Sequence, residues 1–261
     1  MLKKRVITAI VAVAVLLLVL FVVPPLVAEA VIAIMMLGGA WEWSGFLGVR
    51  SRNSRVAYVI LLAVVMGVVY WQAPQINGLL FQVALVWWFG ALLWTFFYPT
   101  PIPVAVRWIG GILVLVPLYN ALIVLYQVNP AILLGALLIV WAADTGAFVA
   151  GKMLGRVKLA PSISPGKTWE GVIGGLVTVS LLAVVGAYWF DARIEVLVPF
   201  CLAIACASVV GDLTVSMFKR TAGLKDSGTL FPGHGGVLDR IDSVAAAAPL
   251  FALGISWTGL Q

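Results

Sequence analysis

The sequence predicts an all-α integral membrane protein with about nine transmembrane helices. Hydrophobic residues make up 63% of its 261 residues and charged residues only 10%, and the mean hydropathy is +1.14. Apolar runs close to the length that an α-helix needs to cross a bilayer recur along the chain. A transmembrane β-barrel would show shorter segments in which apolar and polar residues alternate. Because these runs are continuously apolar, the sequence excludes both a barrel and a water-soluble globule.

Breaks at proline, glycine and charged residues divide the apolar sequence into the predicted spans. The first five belong to an N-terminal region, residues 1–128, and the other four to a C-terminal region, residues 129–261. Two long polar loops, 151–170 and 219–241, lie in the C-terminal region. The nine spans cover roughly residues 6–23, 26–48, 56–72, 77–98, 106–127, 130–150, 171–190, 196–218 and 242–259.

The positions of the basic residues predict the orientation. If the N-terminus is cytoplasmic, alternating spans put 15 of the 16 basic residues on the cytoplasmic side and only Arg193 on the other. This is the positive-inside pattern, and it predicts that the loops 151–170 and 219–241 face the same, cytoplasmic compartment. It also accounts for the basic pI of about 9.6, so no nucleic-acid partner is expected.

The start of the chain imitates a secretory signal, with a basic beginning, an apolar stretch and the small-residue pattern Ala28-Glu29-Ala30. Its apolar run is longer than the usual core of a signal peptide, so we expect a retained first span. Cys201 and Cys206 both fall within an apolar span. We expect neither a disulfide nor a metal pair from them.

Two aspartates lie within predicted spans, where an unpaired carboxylate is costly. Asp212 shares one helix face with Ser216 and Lys219, which follow it by four and seven residues. Asp144 lies near the cytoplasmic end of the sixth span, and for it a structural salt bridge or a hydrogen bond between helices is an open alternative. Asp239 and Asp242 open the ninth span on one face. Such a group of carboxylates favours Mg²⁺ as the bound ion. One histidine cannot build the usual ligand shell of Zn²⁺.

The stretch 216–242 concentrates the polar chemistry of the chain. Seven of its 27 residues are charged, and it contains the only histidine of the sequence, His234. Three roles stay open for His234: a hydrogen-bond donor to phosphate, a group that orients another residue, or an acid or base. Its glycines, among them Gly235 and Gly236, permit close approach of backbone N–H groups to an anion. The candidate cationic donors for phosphate are Lys167, Lys219, Arg220, Lys225 and Arg240.

The segment SPGKT at 164–168 imitates a phosphate-binding P-loop, but Pro161 stands where that motif requires glycine. Lys167 and Thr168 can still bind phosphate, and Trp169 and Glu170 could orient a base or sugar. An ordinary loop at the membrane surface is the alternative.

Together these residues resemble the phosphatidate cytidylyltransferase family, the CDP-diacylglycerol synthases. The family signature has Ser, two residues, Lys-Arg, four residues, Lys-Asp, a glycine-rich turn with His-Gly-Gly, and Asp-Arg-x-Asp. The segments 144–156 and 164–171 look like other motifs of the family, so the resemblance covers about residues 140–245. Two positions depart from the pattern, Gly166 where a second lysine is common and Val215 where a polar residue is frequent. The signature appears here as Ser216, Lys219-Arg220, Lys225-Asp226, His234-Gly235-Gly236 and Asp239-Arg240-Ile241-Asp242.

The resemblance implies transfer of CMP from CTP, or dCTP, to phosphatidic acid, giving CDP-diacylglycerol and pyrophosphate for phospholipid biosynthesis. It implies Mg²⁺, with a monovalent cation such as K⁺ as a further candidate, a homodimer, and a multi-pass location in the bacterial inner membrane. Residues 129–261 would form the catalytic region. The metal ligands would be Asp144, Asp212 and Asp239, with Asp242 in reserve. Catalytic roles would fall to Ser216, Lys219, Arg220, Lys225, Asp226, His234, Arg240 and Asp242, and substrate binding to Lys167, Thr168, Glu170, Gly235 and Gly236.

Three alternatives compete with this interpretation. A CDP-alcohol phosphatidyltransferase would need an acidic motif whose spacing the sequence lacks. A transporter that binds ions at Asp144 and Asp212 would place polar groups near the bilayer midplane, not at one surface. A homologue that kept the scaffold and lost catalysis would have lost charged signature positions, and all of them are intact.

Overall fold

The computed structural model describes residues 2–49, 51–230 and 235–258, and these are almost entirely helical. Within these described residues, six helices are long and apolar enough to cross a membrane, so the protein is a polytopic membrane protein. The count of nine crossings stays a prediction. The elements in chain order are α1 (Leu2–Phe21), α2 (Pro25–Trp43), α3 (Arg52–Phe97), α4 (Val104–Val128), α5 (Pro130–Leu154), β1 (Lys158–Ala160), β2 (Ser164–Thr168), α6 (Trp169–Trp189), α7 (Ile194–Thr221) and α8 (Leu238–Thr258).

The third and fourth predicted spans, 56–72 and 77–98, form the single helical segment α3 of 46 residues. A straight helix of that length would measure about 69 Å, more than twice the hydrocarbon thickness. Yet Tyr58 donates a hydrogen bond to the Trp108 carbonyl at 3.2 Å, and the Trp87 ring lies 3.2 Å from where a Cβ on Gly110 would stand. Both halves of α3 thus reach the same end of α4. The predicted break is a sharp bend within one helix, and Pro74 explains it because proline removes a backbone hydrogen bond.

The remaining boundaries differ from the prediction at the two polar loops. The loop 151–170 contains a short antiparallel hairpin, in which Lys158 pairs with Thr168. Helix α7 continues to Thr221, so the loop predicted to start at residue 219 begins later. Helix α8 starts at Leu238, four residues before the predicted span, because its N-terminal N–H groups find acceptors in the protein.

Helices α5 and α6 approach each other closely through small residues. A Cβ on Gly174 would overlap the Ala150 side chain, and one on Gly175 would stand 2.7 Å from the Ala143 carbonyl oxygen. Glycine and alanine at such positions let two helix backbones approach within a membrane. The pair fixes the hairpin between the C-terminus of α5 and the N-terminus of α6.

Helices α7 and α8 form a second close pair, and the N-terminal helices pack on it. At Gly211 a Cβ would overlap the Asp242 carbonyl oxygen. The Trp43 ring at the end of α2 lies 4.9 Å from that of Phe218 on α7, measured between ring centroids. The C-terminal ends of α2, α5 and α7 and the N-terminal end of α8 therefore lie at one end of the bundle. The predicted division of the chain at residue 128 falls between α4 and α5 and stays a prediction.

Candidate active site

A buried lysine connects α7 to the start of α8. Lys219 is only 7% exposed, and its Nζ lies 2.8 Å from Asp239 Oδ1 and 3.7 Å from Asp242 Oδ2. The three-residue spacing of the aspartates puts both on the face of α8 that meets α7. A buried ammonium needs such compensation, so Lys219 acts first as the bridge between the two helices.

Asp239 uses both carboxylate oxygens within the protein. Oδ1 accepts a hydrogen bond from Lys219, and Oδ2 accepts from the backbone N–H groups of Ser227 and Gly236, each at 2.9 Å. Burial alone would raise the pKa of Asp239, but the Lys219 hydrogen bond and the Gly236 N–H, with the charge of Lys219 and the Ser227 N–H, lower it below its ordinary value. Asp239 is therefore held ionised as an anchor of the polar segment.

The second charged group joins α5, α7 and the hairpin. Lys167 Nζ lies 2.6 Å from Asp212 Oδ2, and the Ser216 hydroxyl donates to Asp212 Oδ1 at 3.2 Å. The predicted shared face of Asp212 and Ser216 is thus confirmed by their contact. Asp144 accepts a long hydrogen bond of 3.5 Å from the Ser243 hydroxyl of α8. Asp212 lies close enough to Asp144 and Asp242 for the carboxylates to interact electrostatically.

A cavity of about 490 Å³ lies beside this second group, between α5, α6, α7 and the hairpin. Its lining includes two carboxylates and two ammonium groups together with apolar side chains of the same helices. Such a mixture suits a ligand with both charged and hydrophobic parts. The polar lining residues include Asp144, Lys152, Ser164, Lys167, Thr168 and Asp212, and the apolar lining residues include Ala147, Phe148, Val172, Leu176, Ala205 and Val209.

Local hydrogen bonds explain how the hairpin presents Lys167. Thr168 is the N-cap of α6, where its Oγ1 accepts the Gly171 N–H at 3.1 Å. Glu170, in the first turn, accepts the Val157 N–H at the base of β1. Threonine and glutamate are typical of a helix N-terminus, so both residues fix the hairpin, and only Thr168 also lines the cavity.

Of the other signature residues, Arg220 connects two segments through hydrogen bonds, and three more are exposed to solvent. Arg220 donates from Nε to the Ile163 carbonyl at 3.1 Å and from Nη1 to the Leu224 carbonyl at 3.2 Å, which ties the hairpin turn to the end of α7. Lys225, Asp226 and Arg240 are exposed at the same end of the bundle. The prediction for His234 falls outside the described residues.

Gly235 has the left-handed φ of 81° that glycine adopts freely. A Cβ there would overlap the Asp239 carboxylate. Gly236 instead donates its N–H to Asp239. The two glycines thus make room for carboxylates of the protein, and Gly236 also donates a hydrogen bond to one of them. Their contact with substrate stays a prediction.

The sequence analysis missed Glu42, at the end of α2. Glu42 is 7% exposed; its Oε1 accepts the Val237 N–H, and its Oε2 accepts the Leu238 N–H and the Ser227 hydroxyl, at 2.9, 2.9 and 2.7 Å. The signal that singles out Asp144 and Asp212, a carboxylate within an apolar span, also applies to Glu42 in MLGGAWEW. Glu42 connects the N-terminal half to the signature segment.

Asp144 and Asp212 are the two cavity-lining carboxylates that could bind a hard cation. Across the part of the chain that the structure describes, no three His, Cys, Asp or Glu side chains form a group that could hold a metal ion. Two carboxylates on a cavity wall nevertheless suit Mg²⁺, which completes its shell with water and phosphate oxygens. The third expected ligand, Asp239, does not line this cavity, and its two oxygens accept three hydrogen bonds from the protein. Cys201 and Cys206 are both free cysteines.

Comparison with known proteins identifies the family. The model of the cytidylyltransferase family matches residues 3–257. A phosphatidate cytidylyltransferase of Pseudomonas aeruginosa is 41% identical, over 97% of this chain and 96% of the relative. One of Haemophilus influenzae is 37% identical, over 97% and 98%, and one of Staphylococcus aureus is 47% identical, over 45% and 46%. The family predicted from the signature residues is confirmed, and this chain belongs to the phosphatidate cytidylyltransferase family of nucleotidyltransferase enzymes.

Proposed function

We propose that this enzyme transfers the CMP group of CTP to phosphatidic acid and forms CDP-diacylglycerol and pyrophosphate for phospholipid synthesis. A phosphate oxygen of phosphatidate forms a new bond to the α-phosphorus of CTP, and the bond from that phosphorus to the β-phosphate oxygen breaks. The observation that carries the proposal is the cavity whose lining combines Asp144, Lys167 and Asp212 with apolar side chains. The two relatives that align over nearly the whole chain are phosphatidate cytidylyltransferases, which supports the same reaction.

The residues fit a reaction that needs positioning and charge neutralisation more than a strong base. The phosphate of phosphatidate is already ionised near neutral pH, so it can attack without a general base. Catalysis then depends on holding two anionic groups in contact and on neutralising the charge of the leaving pyrophosphate. Lys152 and Lys167, which line the cavity, are the cations for this role, and Lys225 and Arg240 are exposed at the same end of the bundle.

We propose Asp144 and Asp212 as the residues that hold Mg²⁺. When bound, the ion would neutralise phosphate charge and orient the triphosphate. In the structure, Lys167 Nζ forms an ion pair with Asp212 Oδ2 at 2.6 Å. A cation bound to Asp212 would replace this ion pair, and Lys167 would then be free to bind a phosphate. Asp239, the other expected ligand, would support the site through Lys219. We keep CTP and dCTP as alternative nucleotides and K⁺ as a candidate second cation.

We further propose that the enzyme acts as a homodimer in the bacterial inner membrane, with the N-terminus and the site on the cytoplasmic side. The distribution of basic residues supports this orientation. Cysteine labelling from either side of oriented vesicles tests the orientation, with single cysteines at Lys158 and Asp191 on a background without Cys201 and Cys206. Labelling of both from the same side would contradict it. Cross-linking in native membranes, with detection of the dimer mass, tests the oligomer.

The decisive experiment uses the purified protein in detergent with phosphatidate and CTP labelled at the α-phosphate. We expect labelled CDP-diacylglycerol and an equal amount of pyrophosphate, both dependent on Mg²⁺. Absence of both products at every divalent cation tested would refute the proposed function. Near-normal Mg²⁺-dependent turnover in Asp212→Asn would refute the metal assignment alone.

A further inference from the structure

We propose that Glu42 is a positioning residue for this reaction, one that holds Ser227, before the glycine-rich turn, beside Val237 and Leu238, after it, from the N-terminal half of the chain. The inference rests on the proposed function for its kinetic consequence. Its structural basis is independent, because it concerns which groups the Glu42 carboxylate binds.

Glu42 accepts hydrogen bonds from residues on both sides of the glycine-rich turn. Its Oε2 accepts the Ser227 hydroxyl at 2.7 Å and the Leu238 N–H at 2.9 Å, and its Oε1 accepts the Val237 N–H at 2.9 Å. One carboxylate thus joins a residue before the glycine-rich turn to two residues after it. Ser227 on one side, and Val237 and Leu238 on the other, are therefore held together by Glu42.

The start of α8 makes the carboxylate an appropriate acceptor. The first N–H groups of a helix have no partner within the helix, and the N-terminus carries a partial positive charge. Val237 and Leu238 present such groups, and both are buried with Glu42. The partial charge and three hydrogen bonds therefore compensate an anion that would otherwise be costly to bury.

The glycines of the segment are fitted to this carboxylate. A Cβ on Gly228 or on Gly236 would overlap the Glu42 side chain in each case. Neither glycine has a positive φ, so the requirement there is space and not backbone conformation. Glu42 thus explains two glycines that conformation does not.

Asp239 links the Glu42 contacts to Lys219, and so to the proposed reaction. It accepts the N–H groups of Ser227 and Gly236, the same two ends that Glu42 joins, and it also holds Lys219. Loss of the Glu42 contacts would loosen these ends, and with them the geometry of the Lys219–Asp239 pair. Glu42 does not line the 490 Å³ cavity, so its loss should affect turnover more than nucleotide binding.

The test compares Glu42→Gln with Glu29→Gln in the full-length enzyme. Glu29 lies on the same helix and accepts hydrogen bonds from Tyr70 and Gln127, but these contacts are made away from the signature segment. A glutamine amide at position 42 would turn an N–H₂ toward donors, so we expect kcat to fall about ten- to a hundredfold, as when hydrogen bonds that orient a site are lost. We expect the KM for CTP to stay within about threefold and Glu29→Gln to keep kcat within about twofold.

Hydrogen exchange supplies the readout that a general loss of stability would not mimic. We expect faster exchange in Glu42→Gln at the peptides containing Ser227 and Leu238, and unchanged exchange in α5 and α6. Exchange that rises equally in all helices, an unchanged kcat, or the same loss in Glu29→Gln would overturn the proposal. If Glu42→Gln does not fold, Ser227→Ala is the alternative variant, because it removes one of the three hydrogen bonds to Glu42. The same measurements then apply, and we expect kcat to fall about threefold. If the wild type makes no CDP-diacylglycerol, the proposed function fails, and hydrogen exchange still decides the positioning role.

Discussion

Asp239→Asn tests whether this carboxylate is chiefly an anchor of the fold at the site. The side chain is 7% exposed and accepts three hydrogen bonds, one from a buried lysine. Asparagine offers one acceptor oxygen. If that oxygen faces Ser227 and Gly236, the amide group faces the Lys219 ammonium; if it faces Lys219, two backbone N–H groups lose their acceptor. Either orientation leaves a buried donor without a partner.

The magnitude follows from that geometry. An unsatisfied buried donor costs about 1–3 kcal/mol, and removal of one partner from a buried ion pair costs about 3–5 kcal/mol. Asp242, at 3.7 Å from Lys219, retains part of the attraction. We therefore expect the free energy of unfolding to fall by about 2–3 kcal/mol, the upper part of the first range and less than the full loss of an ion pair.

The assay is reversible unfolding in mixed micelles, followed by tryptophan fluorescence, with Asp226→Asn as the matched control. Asp226 is exposed in the same polar segment, and substitutions at such positions change stability by about 0.5 kcal/mol or less. A loss below about 0.5 kcal/mol in Asp239→Asn would refute the anchor. If that stability were unchanged while Mg²⁺-dependent turnover disappeared, the residue would be a metal ligand as the sequence predicts.

Three further predictions concern the cavity and the helices around it. Lys167→Ala should raise the KM for CTP at least tenfold, because it removes a cation from the cavity wall, while steady-state kinetics of Lys167→Arg should show partial recovery. Gly174→Ala should lower the melting temperature by several degrees, since its Cβ would overlap Ala150; Gly135→Ala, with open space around it, should not, and equal melting temperatures in the two variants would contradict the close packing. Removal of divalent cations with EDTA should abolish turnover, and added Mg²⁺ should restore it; turnover that persists in EDTA would contradict the proposed cation at Asp144 and Asp212.

The sequence predicted the fold well wherever hydrophobicity alone decides. Apolar length marks the helices because a bilayer permits little else. It could not reveal that α3 bends back as one helical segment, since Pro74 and its neighbours are equally compatible with a loop. The hairpin at 158–168 was missed for another reason: its strands are too short to show an alternating pattern, and they are held by α5 and α6.

The candidate site was predicted in composition but only partly in arrangement. Spacing along α7 correctly put Asp212 beside Ser216, because helix periodicity fixes that relation. The pairing of Lys167 with Asp212, and of Lys219 with Asp239, depends on how separate helices pack, which spacing within one helix cannot give. Glu42 lies about 190 residues before its partners, so no local pattern in the signature points to it.

The anchoring contacts change the interpretation of the glycine-rich segment. Glycines beside lysines and arginines suggest a nest of N–H groups for substrate phosphate. In the structure the N–H groups of Gly236, Val237 and Leu238 are directed to Asp239 and Glu42, two carboxylates of the protein itself. A phosphate would have to displace one of these anions to bind there. The cationic side chains on the cavity wall, led by Lys167, are therefore better placed than the backbone of this turn to receive the triphosphate.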